Sequence, residues 1–200
     1  DMTDPAVYDS ISKWIDIDNH ISYNIAQIFI DNRDWPGNNI KYWRPQSTDG
    51  KWRWILYDTD FGFGIPWNGL GYNYNTLEFA VEPNGPGWPN PPWSTFLLRK
   101  LFENQDYRDR FVNIYCDRLN TVFKPSSLND RIDVMSSYIE DIIPIHQERW
   151  PVSAQDWDYH IEILKNFSDN RSLYVRQHLT NFFSLSSPAL VTFISSLGGN

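Results

Sequence analysis

The chain has a single cysteine, Cys116, which excludes an internal disulfide and any cysteine-based zinc site. Phe111, Ile114, Tyr115 and Leu119 flank that thiol, so it reads as a buried small hydrophobe. Want of a disulfide framework does not fix the compartment, because many exported proteins carry none. No apolar run reaches the length of a membrane span, and no signal-peptide pattern is present. Basic charge is also scarce. With 17 Lys and Arg against 25 Asp and Glu, the net charge is -8, and no basic face for nucleic acid is expected. Charged residues make up only 21% of the chain and hydrophobic ones 41%, which predicts a folded segment with a sizeable core. Its 200 residues suit one domain, or a large piece of a bigger protein.

Tryptophan, by contrast, is plentiful. There are 10, and all but Trp150 and Trp157 fall before residue 94. Packing in core and loops accounts for most such rings. The sharper alternative is a ring-lined groove suited to a nucleotide base or a sugar, and composition does not separate the two.

Periodicity predicts a mainly α architecture with one short β-hairpin. A helix capped by Asp16 or Asp18 carries Ile17, Ile21, Ile25 and Ile28 on one stripe and runs out near Ile30. Pro36-Gly37 lies in a polar turn segment that helix cannot cross. Residues 40–43 and 52–57 read as two strands around a turn ending at Gly50. In the second, Trp52, Trp54 and Leu56 share a face, and the period of two carries on to Asp58 and Asp60. Residues 61–92 show little periodicity, which in a compact domain usually means function.

Five helices are expected after that. Trp93 and Leu98 predict a hydrophobic staple around an N-cap at Ser94, with Leu97, Leu98, Leu101 and Phe102 buried. Tyr107, Phe111, Ile114, Tyr115, Leu119 and Val122 mark the next. A third should begin at Ser127 and be kinked or stopped at Pro144. A fourth starts at Ser153 and a fifth spans residues 173–183. Residues 189–194 look like a strand. The expected division is therefore 1–187 as one unit and 188–200 as a tail, either the start of a following β-rich domain or an ordinary frayed end.

Two clusters can carry chemistry. In Asp34-Trp35-Pro36-Gly37-Asn38-Asn39, an Asp precedes an Asn by five positions, in a turn after a helix. The Asp can accept the proton of an incoming hydroxyl and the Asn amide oxygen can ligate a divalent cation, although turns are commonly built of these residues anyway. Asp58-Thr59-Asp60-Phe61-Gly62 places two mutually repelling carboxylates on one strand face, where a cation is the natural partner unless one takes up a proton, although taken alone the pair reads as two solvated acids at a strand end. Hard oxygen donors suit magnesium or manganese. His20, His146, His160 and His178 show no metal-ligand spacing and read as helix-surface or boundary residues. Arg33, Lys41 and Arg44 read as salt partners of the nearby acids.

The order helix, Asp-x4-Asn loop, hairpin, Asp with a following Phe-Gly, irregular segment and helices is that of a protein-kinase catalytic lobe. The run from Asn32 through Asp34 and Asn39 to Trp43, followed by Trp52 through Asp58, Asp60 and Gly64, resembles the CotH kinase-like family. The resemblance is strongest over residues 31–64 and extends from about Ile17 to near Leu185. It implies the C-terminal lobe of an atypical kinase, an α+β fold, that uses ATP with Mg2+ or Mn2+ to phosphorylate Ser or Thr hydroxyls of a protein. It implies a catalytic base at Asp34 and metal and cofactor ligands at Asn39, Asp58 and Asp60. The family pattern gives Asp58 the primary role, whereas a literal reading of Asp60-Phe61-Gly62 gives it to Asp60. By family, the substrate would be a coat or surface protein, and the location extracellular, on the cell surface or on the spore coat.

One departure bears on activity. No Gly-rich lid stands before Asp31, and Lys13 is the only lysine there. These residues by themselves are thus expected to have little or no kinase activity, with the N-terminal lobe lying elsewhere in a longer protein. Three alternatives compete with an active kinase: a pseudokinase, a module in which Trp35, Trp43, Trp67, Trp88 and Trp93 line a carbohydrate- or peptide-binding groove beside a structural cation, and a glycoside hydrolase using Asp34 with Asp58 or Asp60. The hydrolase is the weakest, since it has no need for the Asn or the Phe-Gly segment.

Overall fold

A computed structural model describes residues 1–87, 90–151 and 157–186. These are mainly helical, with one two-stranded antiparallel hairpin. Helix α1 (Pro5–Ser12) starts at Asp4, whose side chain accepts from the Ala6 amide. Helix α2 (Ile17–Phe29) starts at Asp16, whose carboxylate accepts from the Asn19 amide. Ile21, Ile25 and Ile28 are buried along it, as their spacing requires. The helix gives way at Asp31, which adopts a left-handed φ of 58° and turns the chain toward the loop carrying Asp34.

The hairpin pairs β1 (Lys41–Trp43) with β2 (Arg53–Ile55), with Tyr42 opposite Trp54. Both strands are shorter than their composition suggests. Asn19 clasps the Trp54 backbone from α2, accepting from its amide at 2.6 Å and donating to its carbonyl at 3.2 Å. That clasp fastens β2 to the helix by a side chain. The strand ends at Ile55, and Asp58 has a left-handed φ of 52°. Strand alternation therefore does not deliver Asp58 and Asp60; a turn does.

Helix α3 (Thr76–Ala80) is capped by Asn75. Helix α4 (Phe96–Leu101) buries Leu98 and Leu101, but the expected staple is not there. A 3-10 turn, Pro92–Thr95, comes first; Ser94 donates to the Pro91 carbonyl, and Trp93 stays exposed. Helix α5 (Gln105–Asn120) buries Tyr107, Phe111, Tyr115 and Leu119 on one stripe. Helix α6 (Pro125–Ser137) begins at its proline rather than at Ser127, because a proline in the first turn sacrifices no helical hydrogen bond. For the same reason Pro144 opens α7 (Ile143–Arg149) instead of stopping a helix.

The expected fourth and fifth helices are one, α8 (Trp157–Phe182). The polar run that suggested a break bonds back onto its own helix, Ser168 to the Leu164 carbonyl and Asn170 to that of Asn166. The cap expected at Ser153 and the strand expected at 189–194 lie outside the described residues. The core is an aromatic mass in which Phe29 stacks on Phe123 at 4.0 Å and meets Phe167 edge-on. Phe102, Phe111 and Phe183 pack edge to face beyond it.

Candidate functional site

The Asp34 loop is held from three directions. Trp35 is buried against Tyr23 and anchors the loop in the core, and the Trp35–Pro36 peptide is cis. Asn32, itself buried and donating to Gln27 at 2.9 Å, accepts from the Asp34 amide at 3.1 Å. On the far side Asn90 accepts from the Gly37 amide at 2.6 Å and donates to the Arg33 carbonyl at 3.5 Å. The Asp34 carboxylate thus sits on a braced turn.

Both of its oxygens receive side-chain amides. Asn38 donates to Oδ1 at 3.0 Å and Asn39 to Oδ2 at 2.8 Å. Asn39 reaches this position with φ of 50°, a region asparagine tolerates better than most residues. Its Nδ2 is used on Asp34, and its amide oxygen accepts no hydrogen bond among the described residues.

The Asp58 pKa is raised, first by its interaction with the neighbouring Asp60 carboxyl, then by slight desolvation and by the charges of Asp60 and Asp34, while Lys41 opposes them. Asp58 thus feels the charge of both Asp60 and Asp34. Lys41 is not an ion-pair partner of the acids: its ammonium lies 4.1 Å from the Tyr57 ring centroid. The turn that presents the pair is pinned to the end of α2, since the Phe63 amide donates to the Ile30 carbonyl at 2.7 Å.

Beneath this turn lies a buried acid that sequence reasoning missed. Asp31 accepts both arms of the Arg33 fork, at 3.1 and 2.7 Å, and the Thr76 hydroxyl at 2.6 Å. Burial pushes its pKa up, while Arg33, Arg171 and Thr76 pull it back. The Arg33 guanidinium lies over the Tyr74 ring at 3.5 Å and the Trp67 ring at 4.2 Å. Arg171 spans from α8 to donate to the carbonyls of Ile28 and Phe29 at the end of α2 and to those of Tyr72 and Tyr74. One signal could have found it: Phe167, Arg171, Val175 and Leu179 follow at helical spacing, which puts the arginine on the buried stripe.

Two further expectations are corrected. His20 is not a surface residue; it is buried, with Nδ1 2.8 Å from the Tyr107 hydroxyl and Trp54 edge-on at 4.6 Å. The proposed tryptophan groove is not assembled either. Trp35 and Trp93 share a cavity, but Trp67 packs on Phe61, Trp43 is exposed on the hairpin, and Trp88 lies outside the described residues.

Among the described residues no three His, Cys, Asp or Glu side chains converge to hold a metal ion. Asp58, Asp60 and the Asn39 amide oxygen, which is not used on Asp34, are hard oxygen donors of the kind a divalent cation takes. No helix among the described residues is long and apolar enough to cross a membrane. No curated protein and no solved structure matches the chain. The sequence model of the CotH kinase protein family matches residues 1–175, most of the chain. The chain belongs to the CotH kinase protein family.

Proposed function

We propose that this chain supplies the base and metal-binding half of an ATP-dependent protein kinase, transferring the γ-phosphate to Ser or Thr hydroxyls of an exported, surface or spore-coat protein. The observation that carries this reading is the Asp34 carboxylate, held by two asparagine amides within electrostatic reach of Asp58 and its neighbour Asp60. A carboxylate fixed in this way can accept the proton of an attacking hydroxyl. Asn38 and Asn39 orient it without neutralising it, since neither amide carries charge. Asn39, Asp58 and Asp60 would hold Mg2+ or Mn2+, with Asp58 the first of the acids. When bound, that ion supplies positive charge for the phosphate oxygens.

Phosphate transfer by the whole protein from labelled ATP, with manganese or magnesium, tests the reading. Asp34→Asn should lower kcat by about two to four orders of magnitude, the usual worth of a general base, and leave manganese-ATP affinity nearly unchanged. Asp58→Ala should abolish the manganese-ATP binding seen by calorimetry. Unchanged transfer in both variants would reject the site. Tight manganese-ATP binding with no transfer by the unmodified protein would favour a pseudokinase instead.

A further inference from the structure

A second concave feature lies behind the Asp34 loop and takes no part in the proposed chemistry. It is a cavity of about 340 Å³ between α2, the hairpin and α4, walled by Trp35, Pro36, Tyr42, Trp52, Trp54 and Trp93. Two of these, Trp35 and Pro36, directly follow Asp34, so the cavity and the candidate base share a wall. The polar groups at its base are already spoken for. His20 is paired with Tyr107 and Asn24, Asn24 also donates to the His20 carbonyl at 2.7 Å, and Ser94 donates to Pro91. What remains toward an occupant is mostly ring and aliphatic surface, with Trp35 Nε1 a buried donor of the lining that has no hydrogen-bond partner among the described residues. A sugar needs hydrogen-bonding groups beside such rings, whereas a bulky apolar side chain needs only their area.

The rim adds a sign of charge. The chain carries a net charge of -8, but residues 40–57 hold Lys41, Arg44, Lys51 and Arg53 against Asp49 alone. Arg53 is paired with Asp16. Arg44 has no acidic partner among the described residues and stands 5.5 Å from the rings of Trp52 and Trp14. An apolar socket with the unpaired Arg44 beside its Trp52 wall, on an otherwise acidic molecule, complements an acidic segment with one large apolar side chain.

We infer that this cavity docks an acidic peptide segment of a protein partner through one aromatic side chain, with Arg44 facing its carboxylates and Trp93 closing over the ring. That the partner is the protein to be phosphorylated rests on the function proposed above: a segment seated against Trp35 and Pro36 brings the chain that follows it to Asp34.

The probe is a fluorescein-labelled peptide of glutamates around one tryptophan, titrated against the whole protein and followed by polarisation. Saturable binding is expected, weakened about tenfold or more by Trp93→Ala and by Arg44→Glu, the loss typical of an aromatic or arginine anchor. Trp93 is 61% exposed, so its removal spares the core. A peptide with alanine for the tryptophan, and one with lysines for the glutamates, should each bind at least about tenfold more weakly. Equal affinity for either control, or displacement of the probe by a neutral oligosaccharide, would overturn the proposal. Phosphate transfer is measured separately: binding without transfer supports the docking site and counts against the kinase reading, and transfer without binding does the reverse.

Discussion

The guanidinium of Arg171 donates to the carbonyl of Phe29 at 2.8 Å, capping with a charge the helix that leads into the candidate site. It also bonds Ile28, Tyr72 and Tyr74 carbonyls and the Thr76 hydroxyl, so one side chain from α8 joins the end of α2 to the segment before α3. Arg171→Leu leaves those carbonyls without a donor and Asp31 with one cation fewer. The expected loss is about 3–5 kcal/mol of stability, the cost of breaking a buried charged network. Lysine, with three donors in place of five, should recover only part of it. Urea denaturation of the two variants measures this, and a loss under about 1 kcal/mol for Arg171→Leu would show the network to be incidental.

Gly71 tests how tightly Asp31 is held. A Cβ there would lie 2.6 Å from Asp31 Oδ2 and 3.1 Å from the Gly64 Cα. The carboxylate cannot yield, since Arg33 and Thr76 fix it. Gly71→Ala should therefore cost about 1–3 kcal/mol by overpacking. Gly87→Ala is the control. It meets no atom within 4 Å but has φ of 78°, so its cost should be strain alone, about 1–2 kcal/mol. The distinguishing readout is a second-site change: Asp31→Ala should rescue part of the Gly71→Ala loss and none of the Gly87→Ala loss.

The raised pKa of Asp58 gives the site a pH signature. An acid whose pKa is raised in the fold holds more protons folded than unfolded, so without metal stability should fall as pH rises from the ordinary carboxylate value through the raised one. A divalent cation replaces that proton, so manganese should remove the fall and bind more tightly as pH rises across the same window. Melting temperature against pH, with and without manganese, checks the sign. Asp60→Asn should flatten the metal-free curve, and a curve unchanged by that substitution would mean that Asp60 is not what raises the Asp58 pKa.

Much of this was legible in the sequence where the determinants are local. The α2 stripe of Ile21, Ile25 and Ile28 and the Asp34–Asn39 contact both lie within a few residues, and both are present. The hairpin was legible as a hairpin, but its length was not, because β2 is fastened by Asn19 from a helix 35 residues away. The same limit hid the acid beneath the site. Asp31 looked like one more turn residue until Thr76, 45 residues on, donated to it. Helix α8 was expected as two helices, and Arg171, in the stretch that joins them, has its partners about a hundred residues back. Charged residues on apolar stripes, rather than polar residues in general, were the readable sign of such long-range bonds.

His20 carries the last prediction, and it separates burial from surface placement directly. Burial lowers its pKa from 6.5 to about 3, so in the fold the ring stays neutral far into acid. The unfolded chain takes up a proton near pH 6.5. Below that value the unfolded state binds the extra proton, so stability should fall as pH drops from 6.5 toward about 3, and His20 should contribute no slope above 6.5. The fall attributable to this one ring is about 1.4 kcal/mol per pH unit. His20→Gln removes the titrating group. At neutral pH it should be less stable by about 1–2 kcal/mol, having lost the packing against Trp54 and the bond to Tyr107. The two stability curves should then converge and cross as pH falls, because only the wild-type chain has an imidazole to protonate on unfolding. Parallel curves through that range would place His20 in water, where its protonation costs the fold nothing.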